Sequence, residues 1–323
     1  MADDAPGLDL SFVVIGFNEA AHLGACLASV HAAHLDGLRW ELIYVDGGST
    51  DGSREIAVAA GVHQALGGER RRKAAENRNL GLAAAQGRYV QFLDGDMVLD
   101  PAWPRAAMAV LERDAVCTTV CGVLEERNKS AVYQALQLDW EAPEGPTPFC
   151  GGAAMFRREL LASVGGFPED VAYGEEPYLC WRIRNEFERT IWHLPVRMAL
   201  HDLAYKGFAD YWRRSARTGE TYAEIAARCR GTKDPLWSAE VRSNLVWTGA
   251  YALGGLWLIA APGVLRVLPL LALALVLARK TWQRLRSGTP TDVALLYALH
   301  TYFAKLNIGY GILRWHLRRA RGR

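Results

Sequence analysis

The chain has 323 residues, enough for one large domain and an appendage, and with 50% of them hydrophobic and 22% charged it is too apolar for a disordered protein. Its formal net charge of +2 leaves no broad basic excess to draw a phosphate backbone, which excludes nucleic acid as the expected partner. The six cysteines, Cys26, Cys117, Cys121, Cys150, Cys180 and Cys229, form no CxxC framework and read as reduced, buried thiols of a cytosolic domain; the acidic opening, Met1 to Asp9, lacks the charged-then-apolar pattern of a secretory signal.

Residues 10–16 (LSFVVIG) are a β-branched apolar run, expected as a first strand buried on both faces. Phe17-Asn18-Glu19 follows, and residues 20–33 then carry Leu23, Leu27 and Val30 at helical spacing. Residues 40–45 (WELIYV) predict a second strand, which also ends in an acid, Asp46. The turn-rich stretch Gly47 to Ser53 caps a helix over 54–60, and residues 59–64 predict a short third strand. A basic, polar stretch over 67–79 leads through a helix at 80–85 into the strand Tyr89 to Leu93.

That strand ends in Asp94-Gly95-Asp96. Side chains two apart on a strand point to the same side, so the two carboxylates converge past its carboxyl end, and Gly95 permits a close turn there. Paired carboxylates suit a hard divalent cation, which in turn suits phosphate oxygens; an Asp-Gly turn that merely ends a strand is the plainer alternative. Strands that alternate with helices, each ending in polar residues, indicate a sheet wound with helices and a ligand site outside the carboxyl ends of its strands. Asp46, Asp94 and Asp96 would share that edge.

Further along, the spacing predicts a helix over 103–113, a strand over 115–124, an irregular polar stretch over 125–148 with a short helix at 132–138, and a strand over 149–156. A helix at 157–164 and the turn Gly165-Gly166-Phe167-Pro168 precede Gly174-Glu175-Glu176, which opens a helix over 177–186 with Pro177 at an early position. Residues 191–199 predict a last strand, followed by His201-Asp202. Residues 244–265 then carry no charge, and residues 267–278 are again apolar, with Lys280, Arg284 and Arg286 close behind. The first run is about long enough to span a bilayer, so an in-and-out hairpin turning near Pro262-Gly263, or two helices lying in one leaflet, is expected, with the basic flanks on the cytoplasmic side. Residues 295–313, which include His300 and Lys305, read as an interfacial amphipathic helix.

Six motifs in order carry a resemblance: Val14-Ile15-Gly16-Phe17-Asn18-Glu19, Val45-Asp46-Gly47-Gly48-Ser49-Thr50-Asp51, Arg78-Asn79-Leu80-Gly81, Phe92-Leu93-Asp94-Gly95-Asp96, Gly165-Gly166-Phe167 and Gly174-Glu175-Glu176. Over residues 10–215 the chain resembles the family-2 glycosyltransferases of the bacterial, membrane-associated type. The resemblance implies an α/β fold of the GT-A class, a Rossmann-like, mostly parallel central sheet flanked by helices, with a C-terminal hydrophobic helical segment. It implies a domain order of a flexible stretch at 1–9, the catalytic domain at 10–215, a helical connector at 216–243 and membrane-associated helices with a basic tail at 244–323.

The resemblance also assigns roles. Phe17, Asn18 and Glu19 would line the nucleoside pocket, Asp46 would bond the base, Arg78 would lie near the base and phosphates, and Asp94 and Gly95 near the ribose and metal. Arg213, Arg214 and Arg217, read from the residues themselves, could neutralise the diphosphate or equally touch lipid headgroups. Asp96 would ligate Mn2+ or Mg2+, with His201 where relatives supply a further ligand and Asp94 open between metal and ribose. Glu175 and Glu176 occupy the acidic pair that supplies the general base, Glu176 being favoured although relatives commonly carry Asp there. The implied donor is a nucleotide-diphosphate sugar, UDP-linked before GDP-linked; the C-terminal hydrophobic stretch, not any motif, suggests as acceptor a glycan or lipid-linked hydroxyl at the cytoplasmic face of the inner membrane. Tyr211-Trp212-Arg213-Arg214 does not supply the Gln-x-x-Arg-Trp motif of processive members, so one sugar per encounter is expected. A sugar nucleotidyltransferase would place a basic glycine-rich loop where Phe17-Asn18-Glu19 stands, and a non-catalytic scaffold would have no need of intact Asp46, Asp94, Asp96 and Glu176.

Overall fold

The computed structural model describes residues 7–171 and 173–322, so the first six residues of the expected N-terminal stretch lie outside it. The chain divides into two compact units, Met1–Arg127 with Trp140–Asp202, and Asn128–Asp139 with Leu203–Arg323.

The elements in order are β1 (Leu10–Gly16), α1 (Leu23–His31), β2 (Trp40–Asp46), α2 (Ser53–Ala59), β3 (Gln64–Gly67), α3 (Ala74–Ala84), β4 (Tyr89–Asp94) and β5 (Val98–Leu99). They continue with α4 (Trp103–Arg113), β6 (Cys117–Glu126), α5 (Ala131–Gln137), β7 (Gly145–Pro146), β8 (Met155–Arg157), α6 (Arg158–Ser163), α7 (Glu175–Asn185) and β9 (Thr190–His201). Four helices close the chain, α8 (Phe208–Arg228), α9 (Ser238–Ala260), α10 (Leu268–Arg286) and α11 (Thr291–Ala320).

All the strands belong to the first unit and form one sheet in the order β3-β2-β1-β4-β8-β6-β9-β5, with β7 paired to β9. β1 pairs in parallel with β2 and β4, β2 with β3, and β6 with β9, whereas β8 runs antiparallel between β4 and β6, and β5 and β7 run antiparallel to β9. The sheet is therefore mixed, not mostly parallel. The correction has a simple cause: hydrophobic alternation marks a strand but carries no sign of its direction.

β1 is buried along its whole length because both faces are covered. Leu10, Phe12 and Val14 pack with Leu23, Leu27 and Val30 of α1 on one face. Val13 and Ile15 pack with Ile43, Val45, Phe92, Phe156 and Phe167 on the other. α3 starts at Ala74, not near residue 80, because Glu76 caps it by accepting the Lys73 backbone N–H at 2.8 Å. The third strand comes later than expected, since α2 runs to Ala59 and Gly61 then turns with φ +75°. Residues 149–154 lie outside any strand, with Gly151 at φ +74°.

In the second unit α11 is the central element, contacting α5, α8, α9 and α10 and burying Val293, Tyr297, Asn307 and Ile312. Leu295, Leu299, Phe303, Tyr310 and Leu313 of the same helix are exposed, so the stretch read as an interfacial helix has one face packed on helices and another open. Among the described residues no helix is long and apolar enough to cross a membrane, so the expected spanning hairpin is not confirmed. The uncharged run is split: α9 opens on charged residues Glu240 and Arg242 and ends at Ala260, and α10 meets Arg279 and Lys280 within its length. Neither helix alone supplies the roughly 20 apolar residues that a span needs.

Gly81 shows how tightly α3 lies on the sheet. A Cβ there would collide with Val13 Cγ1 and press on Val45 Cγ2 at 3.2 Å. Alanine gains helix propensity of about 1 kcal/mol over glycine in an open helix, but overpacking a filled core costs about 1–3 kcal/mol. Gly81→Ala is expected to lower stability by about 1–2 kcal/mol in urea unfolding; an unchanged or raised midpoint would refute the close packing.

Candidate functional site

The carboxyl ends of β1 and β4, the start of α3 and the start of α7 enclose a cleft of ≈780 Å³. Its floor is set by the turn after β1, which is stitched to the loop after β2. The Asn18 and Glu19 backbone N–H groups donate to Ser49 Oγ and Ser53 Oγ, each at 2.9 Å. The Thr50 and Ala20 N–H groups donate to Asn18 Oδ1 and Asp51 Oδ2, also at 2.9 Å. Asn18 takes the left-handed conformation, φ +56°, to do this, so its side chain serves the turn and not the cleft. Phe17 and Glu19 line the cleft, and the Arg71 guanidinium lies 3.3 Å from the centre of the Phe17 ring.

At the end of β4 the Gly95 N–H donates to Ile15 O at 2.8 Å and the Met97 N–H to Asp94 O at 3.0 Å, which closes the turn tightly. Arg78 reaches this point from α3. Its Nη2 donates to Asp94 Oδ1 at 2.9 Å and its Nη1 to Glu175 Oε1 at 3.0 Å, with the side chain only 5% exposed. Gly152 leaves room for it, since a Cβ there would meet Arg78 Nη2 at 2.5 Å.

Asp96 has no such cation. Its Oδ2 lies 3.8 Å from His201 Nε2, while its Oδ1 and His201 Nδ1 are buried without partners. Burial and the neighbouring Asp94 push the Asp96 carboxyl up. Glu19 is pushed up to about 7 by burial first and then by Asp96, Asp94 and Asp51. Carboxylates thus outnumber cations here, and an orphaned carboxylate oxygen sits next to an imidazole. This donor set fits a hard divalent cation of the Mn2+ or Mg2+ kind. Asp94 is turned toward Arg78, so the Asp94, Asp96 and His201 donors do not converge to within 4.8 Å of one another.

Among the described residues that close convergence belongs to Cys150, Glu176 and Cys180. Glu176 Oε1 accepts the Cys150 backbone N–H at 2.8 Å and the Cys180 S–H at 3.0 Å, and the two sulfurs are 3.4 Å apart. Burial pushes the Cys180 thiol up to about 11 and Cys150 well above the usual thiol range, so both stay protonated donors. Glu176 Oε2 has no hydrogen-bond partner among the described residues. One oxygen is clamped and the other is available, whereas Glu175 lines the cleft in its salt bridge to Arg78.

Two anticipated residues sit elsewhere. Asp46 is at the expected edge but buried, accepting the Ser49 N–H at 3.0 Å, the Ser49 hydroxyl and the Tyr44 hydroxyl at 3.3 Å. It borders a separate ≈390 Å³ cavity with Ser49, Arg54 and Gly68. Arg214 lies on α8 of the second unit, 3.2 Å from Asp210 and donating to Leu203 O at 2.8 Å. Conversely, Arg71, Arg72 and Lys73 line the cleft and were not anticipated, although the run Arg70-Arg71-Arg72-Lys73 was a visible signal. Arg72 Nη1 is buried and unpartnered, a donor held in reserve for an anion.

Residues 11–165 match the model of the family described as glycosyl transferase family 2. Pre-mycofactocin glycosyltransferase of Mycobacterium tuberculosis (strain ATCC 25618 / H37Rv) is 27% identical over 171 residues, covering 49% of this chain and 36% of its own length. Dodecaprenyl-phosphate galacturonate synthase of Rhizobium johnstonii is 36% identical over 120 residues, covering 34% of this chain and 35% of its own. The chain thus spans little more than a third of these curated relatives. The mannosyltransferase PcManGT of Pyrobaculum calidifontis, solved with GDP-Man and Mn2+, superposes with TM-score 0.65 at 22% identity, covering 93% of this chain and 88% of that one. S. aureus TarS 1–349 with UDP-GlcNAc gives 0.60 at 17% identity, covering 97% and 92%. At these identities the structural likeness establishes the fold, GT-A α/β with a mixed sheet.

The crowding at Glu19 carries a pH signature. Its folded pKa, about 7, exceeds the ordinary 4.5, so its protonated form stabilises the metal-free fold below the lower value and that contribution is lost as pH rises to the upper one. Glu19→Gln should therefore match wild type in Tm near pH 4.5 and exceed it above pH 7, measured by thermal unfolding in chelator. Identical pH slopes for the two proteins would contradict the carboxylate crowding.

Proposed function

We propose, from the premise that residues 11–165 belong to glycosyl transferase family 2, that this chain is an inverting, metal-dependent glycosyltransferase. It moves one sugar from a nucleotide-diphosphate donor, UDP- or GDP-linked, to a hydroxyl of a lipid-linked or cell-envelope glycan. The observation that carries the reading is the buried, unpartnered Asp96 Oδ1 beside His201, in a cleft whose other wall is Arg71, Arg72 and Lys73. An unrelieved carboxylate and an unspent Arg72 Nη1 in one cleft fit a metal and a diphosphate together, although Arg72 Nη2 is paired with Glu69 at 2.9 Å. The nucleotide sugars bound by PcManGT and TarS are of the same donor class.

Asp96 and His201 would hold Mn2+ or Mg2+, with Asp94 at hand once it releases Arg78. Such an ion, when bound, offsets the negative charge that grows on the departing diphosphate. Arg71, Arg72 and Lys73 add fixed positive charge for the same oxygens. Phe17 offers a flat apolar wall to the base and Glu19 an acceptor for ribose hydroxyls.

Glu176 is the general base of this proposal. Its clamped Oε1 orients the carboxylate, and Oε2 takes the acceptor hydroxyl's proton as that oxygen bonds to the anomeric carbon. The bond from that carbon to the diphosphate oxygen breaks on the opposite face, so configuration inverts with no enzyme-bound sugar. Glu175 is the poorer base, because Arg78 already occupies its Oε1.

Asp96→Ala and Glu176→Gln should each lower nucleoside-diphosphate release from a panel of nucleotide sugars by about 10²-fold or more with the fold unchanged. Asp96→Ala should also lose Mn2+ binding, while Glu176→Gln keeps it. Wild-type release of pyrophosphate would instead mean nucleotidyl transfer, and no turnover with any donor would favour a scaffold.

The second unit supports a membrane-surface location, proposed here as the cytoplasmic face of the inner membrane. Val246, Leu253, Ile259, Val264 and Leu275 on and between α9 and α10 are each 69% exposed or more, and Arg279, Lys280, Arg284 and Arg286 follow. An apolar face with basic residues behind it suits the interface of an anionic bilayer. Burying one such side chain is worth about 1.5–3 kcal/mol. Ile259→Ser with Leu275→Ser should weaken co-sedimentation with anionic vesicles at least tenfold; equal partitioning would refute this face.

A further inference from the structure

The opposite edge of the same sheet carries a second cavity, of ≈730 Å³, with no part in the chemistry above. The strand register explains why it is basic. Leu10 of β1 pairs with Tyr89 of β4, Tyr89 with Arg157 of β8, and Cys117 of β6 with Thr190 of β9. Parallel strands start at this edge and antiparallel β8 ends there. Arg88 just before β4, Arg189 just before β9, and Arg157 and Arg158 at the end of β8 are therefore brought to one cavity, with Glu159 as its sole carboxylate among the described residues. Four guanidiniums against one carboxylate in a chain of formal net charge +2 is a marked local excess.

Two of the guanidiniums are positioned by carbonyls, Arg88 and Arg189 are exposed, and none is neutralised. Arg157 is fixed by carbonyls, its Nε donating to Cys117 O at 3.0 Å and its Nη2 to Asp114 O at 3.2 Å and to Leu111 O. Arg158 Nε donates to Gly87 O at 2.7 Å, which leaves both its Nη groups without partners among the described residues. The Arg88 guanidinium lies 5.0 Å from the centre of the Tyr89 ring and makes no side-chain hydrogen bond there. None of the four arginines takes part in an ion pair among the described residues. Guanidinium forks held by carbonyls, with outward N–H groups unspent, match phosphate oxygens bidentately. The cavity is nearly as large as the ≈780 Å³ donor cleft, with room for more than a single phosphate.

We propose that this arginine-lined cavity is a binding site for a polyanionic phosphate compound, separate from the donor cleft and independent of the activity assigned to it. The probes are inorganic triphosphate, free in solution, and vesicles containing phosphatidate, which present phosphate on a surface. Both are used in chelator, so that metal-dependent phosphate binding in the donor cleft is suppressed. Calorimetry on the full chain should give saturable triphosphate binding that weakens with added salt. Arg88→Ala with Arg189→Ala should weaken it at least tenfold, with hydrogen-exchange protection by triphosphate at residues 86–89 and 157–163 lost. If vesicles bind instead and the same double variant abolishes that binding, the site stands and takes a headgroup. No binding of either probe, equal binding by the variant, or protection confined to residues 15–19 and 71–78 would overturn the proposal.

Discussion

The buried guanidinium of Arg78 is the tie on which the cleft depends. It projects from α3 and joins Asp94, at the end of β4, to Glu175, at the start of α7. Each bond is charge-assisted, and only the guanidinium is buried, with the Asp94 and Glu175 side chains 36% and 21% exposed. The same tie divides labour among the acids. Asp94 and Glu175 have their cation, so Asp96 and Glu19 are the ones left with unrelieved charge. The Arg78 bond to Glu175 likewise separates two adjacent glutamates that differ little in sequence terms. One is bonded to arginine, and the other rests on neutral donors from Cys150 and Cys180.

Much of this cleft was legible because it follows from strand geometry. A buried run ending in Asp94-Gly95-Asp96 has to put those side chains past the sheet edge, and the apolar pattern of β1 and β2 places Phe17, Glu19 and Asp46 at the same edge. What the pattern did not show was which carboxylates are already satisfied. Asp46 looks like an available acceptor, yet the loop it begins folds back and fills its oxygens with Ser49. Asn18 looks like a pocket residue, yet its amide holds the turn. The Asn18 bond is set by tertiary closure over 32 positions, which residue spacing does not report, whereas Asp46 is satisfied by a local turn only three positions long.

The remaining misreadings share a different cause. Antiparallel β8 and a central α11 both arise from how elements pack, and a hydrophobic run reads alike whether it faces lipid, a neighbouring helix or a sheet. The amphipathic pattern of residues 295–313 records that one face of α11 meets α8 and α9, a partner the residue spacing does not identify. The run Arg70 to Lys73 was visible but has the look of a solvated charge cluster. Only the placement of Arg71 against Phe17 and the buried Arg72 Nη1 mark it as part of a cleft wall.

The polarity of the sheet explains why a nearly neutral chain carries two strongly charged edges. Helices that follow parallel strands run back across the sheet, so their C-termini and partial negative charge gather at the edge where the strands begin. Arg88 comes soon after α3 ends at Ala84, and Arg189 soon after α7 ends at Asn185, so each follows such a C-terminus. At the opposite edge the α7 N-terminus meets Glu175 and Glu176, which its dipole favours. Helix ends thus favour arginines at the edge where the strands begin, while the opposite edge mixes Glu175, Asp94 and Asp96 with Arg71, Arg72, Lys73 and Arg78. Antiparallel β8 breaks this polarity at a single place, since its end delivers Arg157 and Arg158 to the edge already holding Arg88 and Arg189. The short strand whose direction the hydrophobic pattern concealed is thus what turns two helix-end arginines into a cluster of four.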